Sequence, residues 1–191
     1  MQYELTTPCT AADLAPLKAG DTVLLSGVVY TARDQAHKRM LEALDKGEKL
    51  PFDLEGSAIY YVGPTPERPG EVIGSAGPTT SGRMDAMSPR LLDLGNKIMI
   101  GKGKRDAAVK EAVVRNGAVY LAALGGAGAL MAQSVKTLEV IAWPDLGCEA
   151  VRRLTVEEMP LTVILDAHGG DLYLSGPAAY KRQQGEGAKE L

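Results

Sequence analysis

The chain has 191 residues, 45% of them hydrophobic and 24% charged, which fits one ordinary globular domain able to bury roughly 70% of its unfolded surface. Its 21 basic and 24 acidic residues leave a net charge of −3, which argues against a dedicated binder of nucleic acid or anionic membranes. The two cysteines, Cys9 and Cys148, are too few for a disulfide scaffold, and too few for a cubane iron–sulfur cluster that takes three or four protein thiolates.

The N-terminus, Met1-Gln2-Tyr3-Glu4-Leu5, lacks the basic and apolar blocks of a signal peptide. The first predicted element is a β-branched, apolar strand over residues 22–30, followed by a helix over 33–45 that Gly47 closes. In that helix Ala36, Met40, Leu41 and Leu44 form one apolar stripe. A second strand is predicted at 57–62 and a shorter third at 71–75, separated by a stiff proline- and glycine-rich loop. After the loop Gly77-Pro78-Thr79-Thr80-Ser81-Gly82-Arg83 comes a helix over 87–94, a strand over 97–100, a turn at 101–104 and a helix over 106–115.

A strand over 119–124 then leads into a short helical stretch opened by Gly125-Gly126-Ala127-Gly128. The apolar run at 117–132 is broken by glycines and falls short of the ~18–20 residues of a membrane span. The chain therefore reads as soluble and cytoplasmic. Further strands are predicted at 135–142 and 161–165, with a helix over 149–154 between them. Strands alternating with helices imply an α/β fold, a single domain with a mostly parallel sheet flanked by helices. The expected domain covers residues 1–175, and 176–191 form a polar, poorly packed tail.

Two familiar phosphate motifs fail. Asp106 stands where a dinucleotide fingerprint needs its third glycine, and Asn96 and Gly103 stand where a Walker loop needs glycine and Ser/Thr. The turn Gly101-Lys102-Gly103-Lys104-Arg105 precedes a helix, so it is either an anion site or a solvated basic turn. Thr79, Thr80 and Ser81 place three hydroxyls in succession with Arg83 close behind, as a small anion requires or as a helix cap does. Arg33 and His37 are four residues apart on the apolar stripe itself, so this helix start faces a polar cavity or an interface, or His37 is a satisfied core histidine and Arg33 pairs with Asp34 or another acid.

These segments together resemble the beta region of the class I, iron–sulfur-dependent hydro-lyases, the fumarate hydratase and tartrate dehydratase family. The resemblance rests on Thr31-Ala32-Arg33-Asp34-Gln35-Ala36-His37, on Tyr61-Val62-Gly63-Pro64-Thr65-Pro66, on the block from Gly74 through Gly77-Pro78-Thr79-Thr80-Ser81-Gly82-Arg83 to Asp85, and on Ile100-Gly101-Lys102-Gly103. It implies a swivelling β/β/α domain. It also implies a [4Fe-4S] cluster carried by a separate alpha subunit, with no metal bound by this chain, which starts at its own Met1 and is expected to be the beta subunit. By the same resemblance Arg33, Thr80, Arg83 and Lys102 bind substrate, Thr79 abstracts a proton and His37 has a catalytic role.

The implied reaction is the reversible hydration of fumarate to (S)-malate, the Tyr60–Pro66 stretch and Arg83-Met84-Asp85 looking more like fumarases than tartrate dehydratases. A tartrate or methyl-substituted dicarboxylate dehydratase, or a non-catalytic anion-binding module, stays open as an alternative. The expected partners are the cluster-bearing alpha subunit and a small dicarboxylate, without nucleic acid or membrane, and homo-oligomerisation stays open. Arg33, Thr79, Arg83 and Lys102 are expected to line one outward-facing concave surface.

Overall fold

The computed structural model describes residues 1–187. Seven strands, β1 (Gln2–Thr7), β2 (Thr22–Thr31), β3 (Ala58–Tyr60), β4 (Ile98–Gly101), β5 (Val119–Ala122), β6 (Val135–Ala142) and β7 (Val151–Leu165), share one sheet. Six α-helices accompany them among the described residues: α1 (Ala11–Leu14), α2 (Asp34–Asp45), α3 (Ser88–Asp93), α4 (Ala107–Arg115), α5 (Gly128–Gln133) and α6 (Leu172–Gly187). Each of the first four strands pairs in parallel with the next. β7 then runs antiparallel to β6, to β5 and along nearly the whole of β2. That last pairing closes the ring β2–β3–β4–β5–β7 into a barrel, with β1 and β6 at the edges.

The expected mostly parallel sheet is therefore corrected to a mixed, closed one. The strand that closes it is the one whose pattern misleads: Val151, Leu154, Val156, Met159 and Leu161 are buried, at spacings of three and two. Glu158 at φ 47° causes one of the three-residue spacings by adding a bulge opposite Ser26, whose hydroxyl accepts the Glu158 N–H at 3.0 Å. The helix predicted over 149–154 is the start of this strand. The strand predicted at 71–75 is a loop folded on itself, Thr65 N–H donating to the Ser75 carbonyl at 3.1 Å and Ser75 N–H to Thr65 Oγ1 at 2.8 Å. β1 and α1 carry no prediction.

In the barrel strands alternate side chains enter two different cores, as a period of two demands. Ala58 and Tyr60 of β3, Ile98 and Ile100 of β4, and Val119 and Leu121 of β5 join Val23, Leu25 and Val29 of β2 in one cluster. Ile59, Tyr61, Met99 and Tyr120 point the other way and pack under the helices, against Ala36 and Met40 of α2, Leu91 and Leu92 of α3, and Val109, Ala112 and Val113 of α4. Both faces of these short strands are thus buried, which explains their unbroken apolar runs.

No described helix is long and apolar enough to cross a membrane. α6 continues the backbone through much of the stretch expected as a tail, with Pro177 to Lys181 exposed, while residues 188–191 of that stretch lie outside the described residues.

Gly27 shows how tight the closure is. Its φ is 101°, and a Cβ there would stand 2.6 Å from Thr7 Oγ1 and 2.9 Å from the Thr7 carbonyl oxygen, between β1 and the bulged register of β2 with β7. Gly27→Ala is expected to cost about 2 kcal/mol or more, a fall in Tm of roughly 4–8 °C. Thermal unfolding of the two proteins checks this, and an unshifted Tm would show that β1 can move aside freely.

Candidate functional site

Because β2 to β5 are parallel and end level with one another, with Thr31 beside Tyr60, Tyr60 beside Ile100 and Gly101 beside Ala122, the segments that follow them emerge at one end of the barrel. Arg33 follows β2, Gly63 follows β3, Lys102 follows β4 and Gly125 follows β5. The Thr79–Arg83 segment crosses the same end. Thr79 N–H donates to the Tyr61 carbonyl at 2.8 Å, Thr80 bridges to Lys102, and Ser81 N–H donates to the Lys102 carbonyl at 2.9 Å. Five of the six expected residues thus gather on segments at this end: Arg33, Thr79, Thr80, Arg83 and Lys102. Thr80, Arg83 and Lys102 are exposed, Thr79 and Arg33 half-buried.

Two clefts of about 440 Å³ flank the 63–77 loop, and none of the expected residues lines either of them.

Arg83 and Lys102 have no ion-pair partner among the described residues. Asp85, the acid nearest Arg83 in sequence, is taken by Arg105. Arg105 Nε donates to Asp85 Oδ1 at 2.6 Å, Nη2 donates to Ser88 Oγ at 2.9 Å, and the other carboxylate oxygen of Asp85 accepts the Asp106 N–H at 2.7 Å. The Arg105 side chain is 0% exposed and lies 5.4 Å from the Tyr61 ring and 5.0 Å from the Tyr120 ring. This buried pair ties the segment that carries Arg83 to the loop that carries Lys102. Sequence reasoning missed it, and the only available signal was a third cation in the 101–105 turn.

Arg33 is held differently. Its guanidinium lies against Gly63, where a Cβ would come within 3.0 Å of Nη1. Nη2 is 3.2 Å from Glu149 and 3.6 Å from Asp34, while Nε is buried without a hydrogen-bond partner. Glu149 also accepts the Gln35 N–H at 3.0 Å, so its carboxylate caps α2 from outside the helix. Arg33 therefore pairs with acids of its own chain and keeps only part of its donor set for anything else.

His37 does not reach the surface. It is fully buried, its Nδ1 lies 3.0 Å from the Arg33 carbonyl and its ring meets Tyr61 edge-on at 5.3 Å. Since a carbonyl can only accept, Nδ1 carries the proton and Nε2 is bare and unpartnered. Burial pushes the imidazole down to about 4, with the Arg105 charge adding to it, against the Arg33 carbonyl and Asp34. The structure thus sets His37, expected to have a catalytic role, behind Arg33, where its ring holds the Arg33 carbonyl.

The two cysteines do not make a cluster cradle. Cys9 is buried with its thiol pushed up to about 11 by burial and by Asp13, and Cys148 is exposed. Among the described residues no three His, Cys, Asp or Glu side chains come together as metal ligands.

A family model described as Fumarase C-terminus matches residues 1–176. The chain is 38% identical over 164 residues to the aerobic class I fumarate hydratase of Escherichia coli, a match that covers 85% of this chain but spans only 30% of that protein's length. It is 43% identical over 170 residues to the putative L(+)-tartrate dehydratase subunit beta of Methanocaldococcus jannaschii, covering 86% of this chain and 87% of that one. With the L(+)-tartrate dehydratase subunit beta of Escherichia coli it shares 34% identity over 177 residues, 90% of this chain and 87% of the other.

The buried imidazole has a measurable consequence. An unfolded chain takes up this proton near pH 6.5, the folded one only near 4, so in that window the unfolded state binds more protons and stability falls as pH falls. His37 is expected to remove up to about 3 kcal/mol of stability between pH 7 and pH 4. Tm measured against pH should fall less steeply in His37→Gln than in the parent protein, and parallel curves would show that His37 is not buried neutral.

Proposed function

Because the chain belongs to the fumarase C-terminus family, we propose that it is the beta subunit of a two-subunit hydro-lyase that reversibly hydrates fumarate to (S)-malate. The partner in this reading is an alpha subunit that carries the [4Fe-4S] cluster, since the thiols of this chain do not suit one. Two cysteines left as free thiols fit the cytoplasm as its compartment.

The observation that carries the reading is the pair of cations without an ion-pair partner among the described residues, Arg83 and Lys102, on neighbouring segments with Thr79 and Thr80 between β3 and β4. Removing a proton beside a carboxylate builds negative charge on that carboxylate, and cations already in place stabilise it more than they stabilise the ground state. Arg83 offers a planar fork to carboxylate oxygens, and Lys102 a point charge. Thr80 presents a hydroxyl on the same rim. Thr79, held by its backbone to Tyr61, is the proton-abstracting group. A hydroxyl is a weak base, so this role depends on the cations beside it. Arg33 supplies the remaining carboxylate contact from the other side of Gly63, and His37 holds the backbone of Arg33.

Tartrate is the alternative substrate to fumarate, favoured by one observation: the chain matches nearly the full length of two proteins named as tartrate dehydratase beta subunits. Co-expression with the cluster-bearing partner, anaerobic reconstitution, and assays of fumarate hydration and L(+)-tartrate dehydration decide between the two. An assembly active on neither overturns the reading.

Within that assembly Arg83→Lys keeps the charge and loses the fork. At one or two charge-assisted bonds, kcat/KM should fall roughly ten-fold to ten-thousand-fold, with the Tm of this chain unmoved because Asp85 already has Arg105. Melting and kcat/KM measured on one preparation check this. A lowered Tm with normal activity per folded molecule would make Arg83 structural.

A further inference from the structure

Lys102 is exposed and has no ion-pair partner among the described residues, yet the backbone that carries it is bound at every polar group. Lys102 N–H donates to Ser81 Oγ at 3.1 Å and its carbonyl accepts the Ser81 N–H at 2.9 Å. Gly103 N–H donates to the Tyr173 hydroxyl at 3.2 Å, and its carbonyl accepts from the Tyr120 hydroxyl at 3.0 Å. Ser81 Oγ and the Tyr120 hydroxyl are 2.9 Å apart. With the Tyr120 proton committed to Gly103, the Ser81 hydroxyl donates to Tyr120, and one directed chain runs from Lys102 N–H through Ser81 and Tyr120 to the Gly103 carbonyl.

Ser81 and Tyr120 are both 0% exposed, so these hydroxyls satisfy one another without solvent. Arg105 lies over the Tyr120 ring, and Gly101 leaves the space that a Cβ would take from Ser81 Oγ. A solvated basic turn requires none of this, because water would meet its backbone groups.

We propose that Ser81 and Tyr120 are positioning residues, which act through Lys102 by fixing its backbone in register with Thr80 for contact with the substrate carboxylate. This rests on the functional reading above. A cation fixed before the substrate arrives needs no reorganisation as charge develops, and a displacement of about 1 Å is enough to cost a hundred-fold in rate.

Tyr120→Phe removes the hydroxyl and keeps the ring under Arg105. In the reconstituted assembly it should lower kcat/KM roughly ten- to hundred-fold while the chain stays folded. The same substitution in a Lys102→Ala background should cost no more than about two-fold further, because the group it positions is gone. Amide exchange at Lys102 and Gly103 in the isolated chain should also speed up. Unchanged kcat/KM in an assembly whose parent is active, fully multiplicative losses in the Lys102→Ala background, or unchanged amide exchange would each overturn the positioning role alone. A parent assembly inactive on every dicarboxylate would overturn the functional reading, and this role with it.

Discussion

A guanidinium taken wholly out of water must be matched on all sides, since breaking one partner of such a pair costs about 3–5 kcal/mol. Arg105 is in that position, and the shape of the site follows from how the chain meets its demand. Asp85 and Ser88 come from the segment after Thr79–Arg83, Tyr61 from the end of β3 and Tyr120 from β5. Satisfying one buried charge therefore draws three separate parts of the chain onto the loop after β4. It also removes Asp85 as a partner for Arg83. The cation at the surface stays free because the cation beneath it is not.

The barrel makes this arrangement possible. β7 pairs with β2 and β5 at once, which holds the four short parallel strands in a closed ring with their ends level. Closing the ring has a second effect at the same rim. β7 runs antiparallel, so its beginning lies beside the end of β2, where Thr31 pairs with Arg152. That brings Glu149 to the start of α2, where it meets both Arg33 and the Gln35 amide. The rim thus holds two kinds of arginine, Arg33 tied to acids of its own chain and Arg83 without an acid partner among the described residues.

The residues that stand at the rim were visible in the sequence because their types are unusual where they occur. Thr79, Thr80 and Arg83 sit in a glycine-bounded loop, Lys102 between two glycines, and Arg33 with His37 on a stripe that is otherwise apolar. What holds them was not visible. Asp85 and Arg105 are 20 residues apart, and Ser81 and Tyr120 are 39 apart. Tyr120 reads as one more apolar residue of a buried strand, and Arg105 as one more surface cation. Hydrogen bonds between distant segments leave no periodicity behind. For the same reason His37 was legible as an odd residue on its stripe, with a core histidine and a paired Arg33 among its readings, while the choice between those readings needed the packing.

By itself the sequence determined the local elements whose signal lies within a few residues: β2, α2 with its stop at Gly47, α3, β4, α4, β5, α5 and β6 all fall where their patterns place them. It also determined the chemistry available to the site, since that depends on side-chain types alone. Only the tertiary structure decided how the strands close. The spacing of β7 is disturbed by the bulge at Glu158, which is needed to fit a continuous strand against β2 and has meaning only beside it. Only the tertiary structure, too, decided which charges remain free, because the pairing of an arginine with an acid is settled by distance in space, and Arg83, Arg33 and Arg105 look alike until those distances exist.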